Sequence, residues 1–418
     1  MSTPRVRLNH APWLTEGALA RLLAVLDRDG EEARVVGGAV RNALMGEPPG
    51  DVDIATTALP DEVIRRAEAA GFKAVPTGIE HGTVTVVVES RPYEVTTLRQ
   101  DVETFGRKAK VAFGRDWKAD AERRDFTINA LSVSPDGTVH DYVGGLADIE
   151  ARRVRFIGEA AARIAEDYLR ILRFFRFHAA YGQGALDRDG LHACIVARAG
   201  LAQLSRERVR MELMKLFVTR HAVPVLAVMT ESGILGPVLG GVPQLASLAN
   251  MIKVEAAIGA RADAVRRLGA LGVLVVEDAE RLWQRLRLTN VEHERLHAMG
   301  DHWWRVSPAL GEPAARALLY RLGPQHFVDR VLLAWTHAWT ADAADSDWRT
   351  LATLPQRFVA PAFPLRAADF LGRGVPKGPQ LGAALRAAEE AWIAADFPAD
   401  AAALEALVDA SIAASTKV

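Results

Sequence analysis

The sequence predicts an α+β protein in which a mixed α/β region, residues 1–150, is followed by helices alone. Val35 and Val36 precede a pair of glycines, and an Asp-Val-Asp-Ile run follows at residues 51–54. This order predicts a strand, a glycine turn, a helix and a second strand. From residue 160 onward, apolar residues recur only at helical spacing. We therefore expect a small mixed or antiparallel sheet with helices at the N-terminus and an all-α remainder.

The composition is typical of a soluble globular protein. Half of the 418 residues are hydrophobic, a quarter are charged, and the formal net charge is −1. This length predicts two to four domains of ~100–200 residues. Cys194 is the only cysteine, which excludes an internal disulfide and favours a reducing compartment. Because we find no signal peptide and no run of ~20 apolar residues, we expect a cytoplasmic protein that does not contact membranes.

The glycine turn is suited to bind phosphate. Gly37 and Gly38 let backbone N–H groups approach a ligand, and the helix that they open adds the positive end of its dipole. Arg41 falls in the first turn of this helix and supplies a further donor. The stretch therefore predicts a triphosphate-binding turn.

An acidic pair follows the helix, which a Pro-Pro-Gly run at residues 48–50 ends. Side chains alternate along a strand, so Asp51 and Asp53 are predicted to share one face. Two such carboxylates repel each other unless a cation lies between them, and Mg²⁺ prefers oxygen ligands. The spacing favours a metal–triphosphate site, and a solvated turn with two capping aspartates is the alternative.

Two runs rich in β-branched residues, 82–89 and 92–99, predict a hairpin. Glu94 is the only acid of the second run. If this strand lies beside the strand of Asp53, Glu94 becomes a third carboxylate of the metal site. The alternative is a solubilising charge on an edge strand.

Residues 100–120 lack sustained periodicity and are rich in Lys and Arg, so we expect a mobile basic loop over the site. Arg123 and Arg124 follow, with Asp125 as a candidate helix N-cap and Asn129 one turn further on. The two arginines could reach a triphosphate or a ribose, although a surface ion pair explains the same string equally well.

The segment 151–220 carries fourteen Lys and Arg against seven Asp and Glu, a local excess of +7. In a chain that is neutral overall, this excess suggests one surface that faces a polyanion. Solvated helix faces are the alternative, and charge alone favours them.

Three motifs occur in order along the chain. They are Gly-Gly-Ala-Val-Arg at 37–41 with Asp-Val-Asp at 51–53, Arg-Arg-Asp-Phe-Thr-Ile-Asn-Ala-Leu at 123–131, and Glu-Asp-Tyr-Leu-Arg-Ile-Leu-Arg-Phe-Phe-Arg-Phe at 166–177. Together they resemble the class II tRNA nucleotidyltransferase and bacterial poly(A) polymerase family, within the DNA polymerase β-like nucleotidyltransferase superfamily. The resemblance covers residues ~35–220. Asn42 departs from it, because the family usually has aspartate at this position.

The resemblance implies a head (1–150), a helical neck that recognises the base (151–220), a tRNA-binding body (221–345) and a tail (346–418). It implies template-independent addition of C, C and A to tRNA 3′ ends from CTP and ATP, with release of pyrophosphate. Asp51 and Asp53 would hold two Mg²⁺ ions, with Glu94 as a further catalytic carboxylate. The tRNA 3′ end and acceptor arm would bind through phosphates and shape, and no protein partner is predicted.

The same resemblance assigns residues to the nucleotide and to its support. The nucleotide-binding set is Gly37, Gly38, Arg41, Arg124, Asn129, Asp167, Arg170, Arg173 and Arg176, and the supporting set is Glu166, Ser205 and Glu207. Asp167 and Arg170 are three residues apart and are predicted to share a helix face. A carboxylate only accepts and a guanidinium only donates, which matches cytosine and adenine and mismatches uracil and guanine. A silent surface ion pair is the alternative.

Glu166 is expected to brace an arginine through a salt bridge, and Ser205 and Glu207 to cap and brace the base-reading helix. Two other functions stay open for the whole chain. The first is a poly(A) polymerase, or an enzyme of the same family that adds only CC or only A. The second is an inactive RNA-binding module, which the intact aspartates disfavour. The Ala-rich sequence after residue 398 lacks the basic extension common in poly(A) polymerases.

Overall fold

The computed structural model describes residues 6–8, 11–105, 108–339 and 341–415, and it describes the backbone but not the side chains of 100–105, 108–111 and 415. The chain forms two compact units, residues 1–234 and residues 235–418. The first contains every described strand, and the second is helical. The predicted order of a mixed α/β region followed by helices is therefore confirmed. The predicted division into four parts stays a prediction.

Nine strands lie in the described part of the first unit. They are β1 (Ala33–Val36), β2 (Asp53–Thr56), β3 (Lys73–Gly78), β4 (Thr83–Val88), β5 (Arg91–Thr97), β6 (Arg99–Phe105), β7 (Lys108–Phe113), β8 (Ser132–Val133) and β9 (Val139–His140). Seven form one sheet in the order β3-β4-β5-β2-β1-β8-β9. Within it, β2 and β5 are parallel and the other neighbours are antiparallel, so the sheet is mixed as predicted.

The predicted hairpin is formed by β4 and β5, and its turn is Glu89–Ser90, where both residues have a positive φ. The burial of β4 alternates strictly along the strand, so one face packs on the core and the other stays accessible. This accessible face is the one that reaches the site described below.

The expectation of a loop over residues 100–120 is wrong. Strands β6 and β7 pair as a separate two-stranded ribbon. A short helix follows at Trp117–Glu122, capped by Asp116. A two-stranded ribbon need not bury one face, so its sequence does not have to alternate apolar and polar residues, and the pattern that signals a strand is weak.

Eleven helices lie in the described part of the first unit. They are α1 (Pro12–Thr15), α2 (Gly17–Leu26), α3 (Gly38–Leu44), α4 (Pro60–Ala69), α5 (Trp117–Glu122), α6 (Gly145–Glu150), α7 (Ala160–Glu166), α8 (Leu169–Tyr181), α9 (Arg188–Ala197), α10 (Arg206–Phe217) and α11 (Ala222–Glu231). Phe174 and Phe177 of α8 pack on Phe126, and Phe156 joins them. This aromatic core fixes α8 against the segment that follows α5.

Ten helices lie in the described part of the second unit. They are α12 (Leu235–Leu239), α13 (Leu245–Ala257), α14 (Ala264–Gly272), α15 (Val276–Leu286), α16 (Asn290–Gly300), α17 (Glu312–Thr336), α18 (Ser346–Ala352), α19 (Ala367–Leu371), α20 (Pro379–Ala394) and α21 (Ala401–Ser415). Helix α17 is broken at Gly323, which has φ 72° and precedes Pro324. Across the residues described, no helix has the length and apolarity that crossing a membrane requires.

Candidate active site

Carboxylates from neighbouring strands lie side by side at the accessible face of the sheet. Asp53 opens β2 and pairs with Glu94 of the parallel β5, and Glu94 pairs in turn with Thr85 of β4. Paired residues on adjacent strands project to the same face. The condition set for Glu94, that its strand lies beside that of Asp53, is therefore met, and its role as a third carboxylate stays a prediction. Asp51 lies two residues ahead of β2, so its predicted position inside the strand is wrong.

The electrostatics of this row favour a cation. The pKa of Asp53 is raised because surrounding protein removes part of its hydration and because the Glu94 and Asp51 carboxylates are near, while Arg124 acts in the opposite direction. Among the described residues, none of these three carboxylates forms an ion pair with a basic side chain. Within the described residues, these carboxylates are therefore not neutralised by a direct ion pair, and the charge of Arg124 offsets theirs only in part.

The donor set suits magnesium better than zinc. In the described part of the chain, no three His, Cys, Asp or Glu side chains form a ready-made metal site. Mg²⁺ is usually held by one or two carboxylates together with water and substrate phosphates, so a preformed cage is not required. Asp51 and Asp53, with Glu94 beside them, therefore fit a magnesium ion that a phosphate ligand helps to bind.

The glycine turn between β1 and α3 brings backbone close to two guanidinium groups. Gly37 has φ 72° and ψ −124°, a conformation that disfavours side chains. A Cβ atom on Gly37 would lie 3.4 Å from Nη1 of Arg124, and one on Gly38 would lie 3.5 Å from Nη2 of Arg41. Since Val36 pairs with Asp53, the turn begins one residue from the carboxylate row. An anion at this turn would meet N–H groups and positive charge together.

Arg41 is buried, with 5% of its surface exposed, and its guanidinium is held by neutral groups. It donates to the side-chain oxygens of Asn42, Asn129 and Tyr181, and it stacks on the Tyr181 ring at 3.8 Å. Burial lowers the pKa of Arg41. These partners orient the guanidinium under the glycine turn without neutralising it. Direct binding of phosphate by Arg41 stays a prediction.

Arg124 is oriented by Asp120, and the neighbouring Asp125 is not a helix cap. Arg124 donates to the Asp120 carboxylate at 3.1 Å through Nη2. Asp125 is buried, and it accepts from the Phe126 amide and from Arg173 at 2.7 Å. The expectation that Asp125 caps a helix is wrong, because only a three-residue 3₁₀ turn, Thr127–Asn129, follows it.

The helix predicted to carry Asp167 and Arg170 on one face is interrupted at Asp167. Helix α7 ends at Glu166, and Asp167 has an extended backbone with φ −157° and ψ 107°. Its Oδ1 accepts from the Leu169 amide at 3.1 Å, and its Oδ2 accepts from Arg208 at 2.6 Å. The argument that Asp167 and Arg170 share a helix face is therefore wrong. Asp167 stands at the break, and an arginine of α10 holds its carboxylate.

Glu166 braces arginines as predicted. Its carboxylate lies 3.0 Å from Arg163 and also accepts a hydrogen bond from Arg170. Arg170 donates in addition to the backbone carbonyl of Arg163 at 2.7 Å. The guanidinium of Arg170 is thereby fixed at the start of α8. Its role and that of Asp167 in reading a base stay predictions.

Arg173 and Arg176 are both held by carboxylates. Arg173 donates to Asp125, and Arg176 donates to Glu212 of α10 at 2.5 Å. Burial alone would raise the pKa of Asp125, but the Arg173 guanidinium and the hydrogen bonds at this carboxylate lower it. Their predicted contact with nucleotide stays a prediction, whereas their contribution to the packing of α8 is direct.

The supporting residues on α10 differ from expectation in detail. Ser205 occupies the N-cap position of α10, but its side chain forms no capping hydrogen bond. Glu207 lies in the first turn of α10. Sequence reasoning missed Arg208 and Glu212, which bind Asp167 and Arg176, because the pairing of charges on separate helices depends on tertiary packing. Arg208 and Glu212 are four residues apart and so share one face of α10, and this spacing was the only feature of the sequence that could have marked them as a pair of interest.

A carboxylate row beside a guanidinium-lined glycine turn, on a small mixed sheet followed by helices, is the arrangement that the resemblance of the sequence to nucleotidyltransferases implies. Two family models match the chain: "Poly A polymerase head domain" over residues 33–155, and "Probable RNA and SrmB- binding site of polymerase A" over residues 185–248. The chain belongs to the class II tRNA nucleotidyltransferase and bacterial poly(A) polymerase family. Membership implies use of a divalent metal ion.

Curated relatives and solved structures agree with this family. CCA tRNA nucleotidyltransferase 1, mitochondrial, of Mus musculus is 39% identical over 284 residues, which are 66% of this chain and 64% of the relative. The CCA-adding enzyme of Geobacillus thermodenitrificans is 45% identical over 215 residues, 51% of this chain and 52% of the relative. The matched part of the chain thus spans between about half and just under two thirds of these relatives.

Among solved structures, the Bacillus stearothermophilus CCA-adding enzyme in complex with CTP matches with a TM-score of 0.74 and 28% identity, over 96% of this chain and 98% of that one. The Thermotoga maritima CCA-adding enzyme complexed with tRNA has a TM-score of 0.65 and 18% identity, over 98% and 97%. The second comparison shows a shared fold.

Proposed function

We propose that this protein adds C, C and A to the 3′ ends of tRNA, using CTP and ATP. The observation that carries the proposal is the carboxylate row, in which Asp53 pairs with Glu94 and Asp51 lies nearby. The glycine turn begins one residue after Val36, the partner of Asp53 on β1, and the guanidinium groups of Arg124 and Arg41 lie close to it. The names of relatives that match over half of this chain or more support the same reaction.

In this reaction the 3′-hydroxyl oxygen of RNA attacks the α-phosphorus of the nucleotide. The new O–P bond forms as the bond to pyrophosphate breaks, and the hydroxyl proton passes to solvent. The Gly37–Gly38 turn and Arg124 would hold the triphosphate, and Asp51 and Asp53 would hold the metal ions. When bound there, Mg²⁺ would supply positive charge that favours ionisation of the hydroxyl and departure of pyrophosphate.

Base selection is assigned to the break between α7 and α8. Asp167 accepts hydrogen bonds and Arg170 donates them, a pattern that suits the Watson–Crick edges of cytosine and adenine. Uracil and guanine present the reverse pattern of donor and acceptor, so neither residue would form a hydrogen bond with the base, which permits discrimination of ~10⁴ or more. The bonds from Arg208 to Asp167 and from Arg170 to Glu166 support this assignment, because they hold both groups in fixed orientations.

The RNA partner is proposed to be tRNA. The basic segment 151–220 and the helices of the second unit would bind it through phosphates and shape rather than through base edges. The relative of known structure whose complex contains tRNA shares the fold across nearly the whole chain, which supports this partner.

An incorporation assay tests the proposal. Purified protein receives tRNA transcripts that end before CCA, after C and after CC, each with one of the four nucleoside triphosphates and Mg²⁺. We expect addition of CC and then a single A, with UTP and GTP rejected. Failure to extend any transcript would contradict the proposal and favour an inactive RNA-binding module.

A second candidate is a poly(A) polymerase, which the description of the matching head-domain model favours. The same assay separates the two functions. Long A tails on RNA unrelated to tRNA would assign the chain to poly(A) synthesis, whereas a halt after one A would exclude it. Addition of only CC or only A would identify a partial enzyme.

We place the protein in the cytoplasm. The support is its single cysteine, Cys194, which is buried and whose pKa is raised by burial, so the fold does not depend on an oxidising compartment. Relatives named as mitochondrial exist, so subcellular fractionation with tagged protein is the test. Recovery in an organelle would contradict the assignment.

A further inference from the structure

A large cleft lies over the carboxylate row, on the face of the sheet that stays accessible. Its volume is about 960 Å³. Asp53, Glu94 and Thr85 lie in register on β2, β5 and β4 and line its floor, and the α1–α2 segment lines its wall. Gly37 and Arg124 are outside the described lining. The triphosphate turn and this cleft therefore flank Asp53 from different directions.

Two side chains of the cleft have no part in the site as assigned above. Trp13 lies on α1, where the buried Leu14 anchors the helix, and the indole is half-buried at the cleft. Within the described chain, its ring stacks on no other aromatic or cationic group. Trp13 thus offers a large flat surface to whatever enters the cleft.

Arg91 is the second such side chain. It is the only basic residue of the described lining, which also contains Glu16, Asp51, Asp53 and Glu94. Arg91 is exposed, and in the described part of the chain it forms no ion pair with any of these acids. A cation left unpaired among four carboxylates remains available to a phosphate.

The geometry of phosphoryl transfer limits which part of the substrates can occupy the cleft. Attacking and leaving oxygens lie roughly in line on opposite sides of the phosphorus. If the triphosphate lies at the Gly37 turn, the attacking hydroxyl has to approach from beyond the carboxylates, which is where the cleft opens. This volume is also large enough for a terminal nucleotide.

We propose that this cleft binds the 3′-terminal nucleotide of the RNA being extended, with its base stacked on Trp13 and its phosphate paired with Arg91. The inference rests on the proposed nucleotidyl transfer. Stacking suits this role because every base has a π face, so a platform of this kind accepts successive ends that differ in base. Trp13 and Arg91 are then positioning residues for the attacking end rather than for the incoming nucleotide.

Steady-state kinetics on an RNA minihelix ending in CC, with ATP, tests the inference. We expect Trp13→Ala to raise the KM for RNA on the order of 10-fold by loss of stacking, with the KM for ATP unchanged. Trp13→Phe retains a ring and should restore most of the affinity. Arg91→Gln should raise the RNA KM by about 10-fold through loss of a charge-assisted bond. Arg65→Gln, an exposed arginine on α4, is the matched control.

A binding measurement without nucleotide separates this inference from the proposed function. The probe is the same minihelix with 2-aminopurine as its last base, whose fluorescence falls on stacking. We expect quenching by the wild-type protein and by Arg65→Gln, and its loss in Trp13→Ala. Equal quenching and equal RNA KM in Trp13→Ala and wild type would overturn the inference while leaving the reaction intact. Quenching by a wild-type protein that adds no nucleotide would instead overturn the reaction alone.

Discussion

The carboxylates at the sheet and those in the helical region differ in whether they are paired with basic side chains, and the two groups are called here the unpaired end and the paired end of the site. At the sheet, Asp51, Asp53 and Glu94 form no ion pair in the described chain, and the pKa of Asp53 is raised by burial and by the neighbouring carboxylates. In the helical region, Glu166, Asp167 and Asp125 are each held by arginine, at Arg170, Arg208 and Arg173. In the described chain, the carboxylates at the sheet are thus not ion-paired, whereas those in the helical region are.

This difference distinguishes the groups that are suited to bind a ligand from the groups that are suited to orient one. Unpaired carboxylates cost stability and retain affinity for a cation, so they suit a metal that arrives with its substrate. Paired groups lose freedom but keep a fixed orientation, so they suit the reading of a hydrogen-bond pattern. Substitutions that remove a carboxylate charge should therefore change the stability of the protein in opposite directions at the two ends.

The largest effect is expected at the unpaired end. Asp53→Asn removes a metal ligand and should lower the rate of nucleotide incorporation by about 10³-fold. Mg²⁺ should raise the melting temperature of the wild-type protein and leave that of Asp53→Asn unchanged, because the variant binds the ion weakly. Thermal melts with and without Mg²⁺ check this point independently of turnover.

Asp61→Asn is the control, because Asp61 is an exposed aspartate in the first turn of α4. It should keep the wild-type rate and the wild-type response to Mg²⁺. Retention of more than a tenth of the activity by Asp53→Asn would show that the row is not the metal site.

The second prediction contrasts the two ends by pH, in metal-free buffer. The pKa of Asp53 is raised, so its ionised form costs stability once the pH rises above the ordinary value near 3.8. At pH 7 Asp53→Asn should therefore be more stable than wild type by about 0.5 kcal/mol, a small figure because solvent screens the cleft. The pKa of Asp125 is lowered, so its contribution is present above that ordinary value and is lost as the pH falls through the lowered pKa.

Asp125→Asn should accordingly cost about 3 kcal/mol at pH 7, because Arg173 loses its buried partner. Both differences from wild type should shrink as the pH falls toward 3, the difference for Asp53→Asn at higher pH than that for Asp125→Asn, because the pKa of Asp53 is raised and that of Asp125 is lowered. Urea denaturation between pH 3 and 7 measures these differences. The same sign for both variants at pH 7 would refute the contrast between the two ends.

The third prediction concerns selection at the paired end. Arg208→Gln releases the Asp167 carboxylate, and we expect the KM for CTP and ATP to rise by about 10-fold, the loss of one charge-assisted bond. Misincorporation of UTP should increase, whereas the KM for RNA should not change. Arg188→Gln, at the start of α9, is the control. Unchanged nucleotide selectivity in Arg208→Gln would mean that Asp167 does not read the base.

Local sequence could predict the parts of the site that depend on neighbouring residues. The Gly37–Gly38 turn, the acids of the next strand and the hairpin that carries Glu94 all follow from short patterns, and the strand pairing then brings Asp53 and Glu94 together. The bracing of arginines by Glu166 is also local, since the partners lie three and four residues away.

The other features of the site depend on tertiary packing, which the periodicity of apolar residues along the chain does not reveal. The break at Asp167 was missed because the surrounding residues have good helix propensity and the stop comes from an extended backbone stabilised by Arg208 of another helix. The partners of Arg41 lie on α3, on the 3₁₀ turn at residues 127–129 and at the end of α8, so no window along the chain contains them. The β6–β7 ribbon was missed for lack of alternation.

The smallest effect is expected at Asn42, where the family usually has aspartate. The Asn42 side chain accepts from Arg41 at 2.8 Å and donates to the Pro48 carbonyl at 3.1 Å, so it links the arginine to the turn that leads to Asp51. Asn42→Asp would give Arg41 a charged partner but would lose the donor to Pro48. We expect these effects to offset within about 1 kcal/mol in the free energy of unfolding, with a severalfold lower rate as the turn before Asp51 loosens. Asn42→Ala, which loses both contacts, should be less stable than Asn42→Asp by urea denaturation, and the reverse order would show that a carboxylate beside the Pro48 carbonyl costs more than its contact with Arg41 gains.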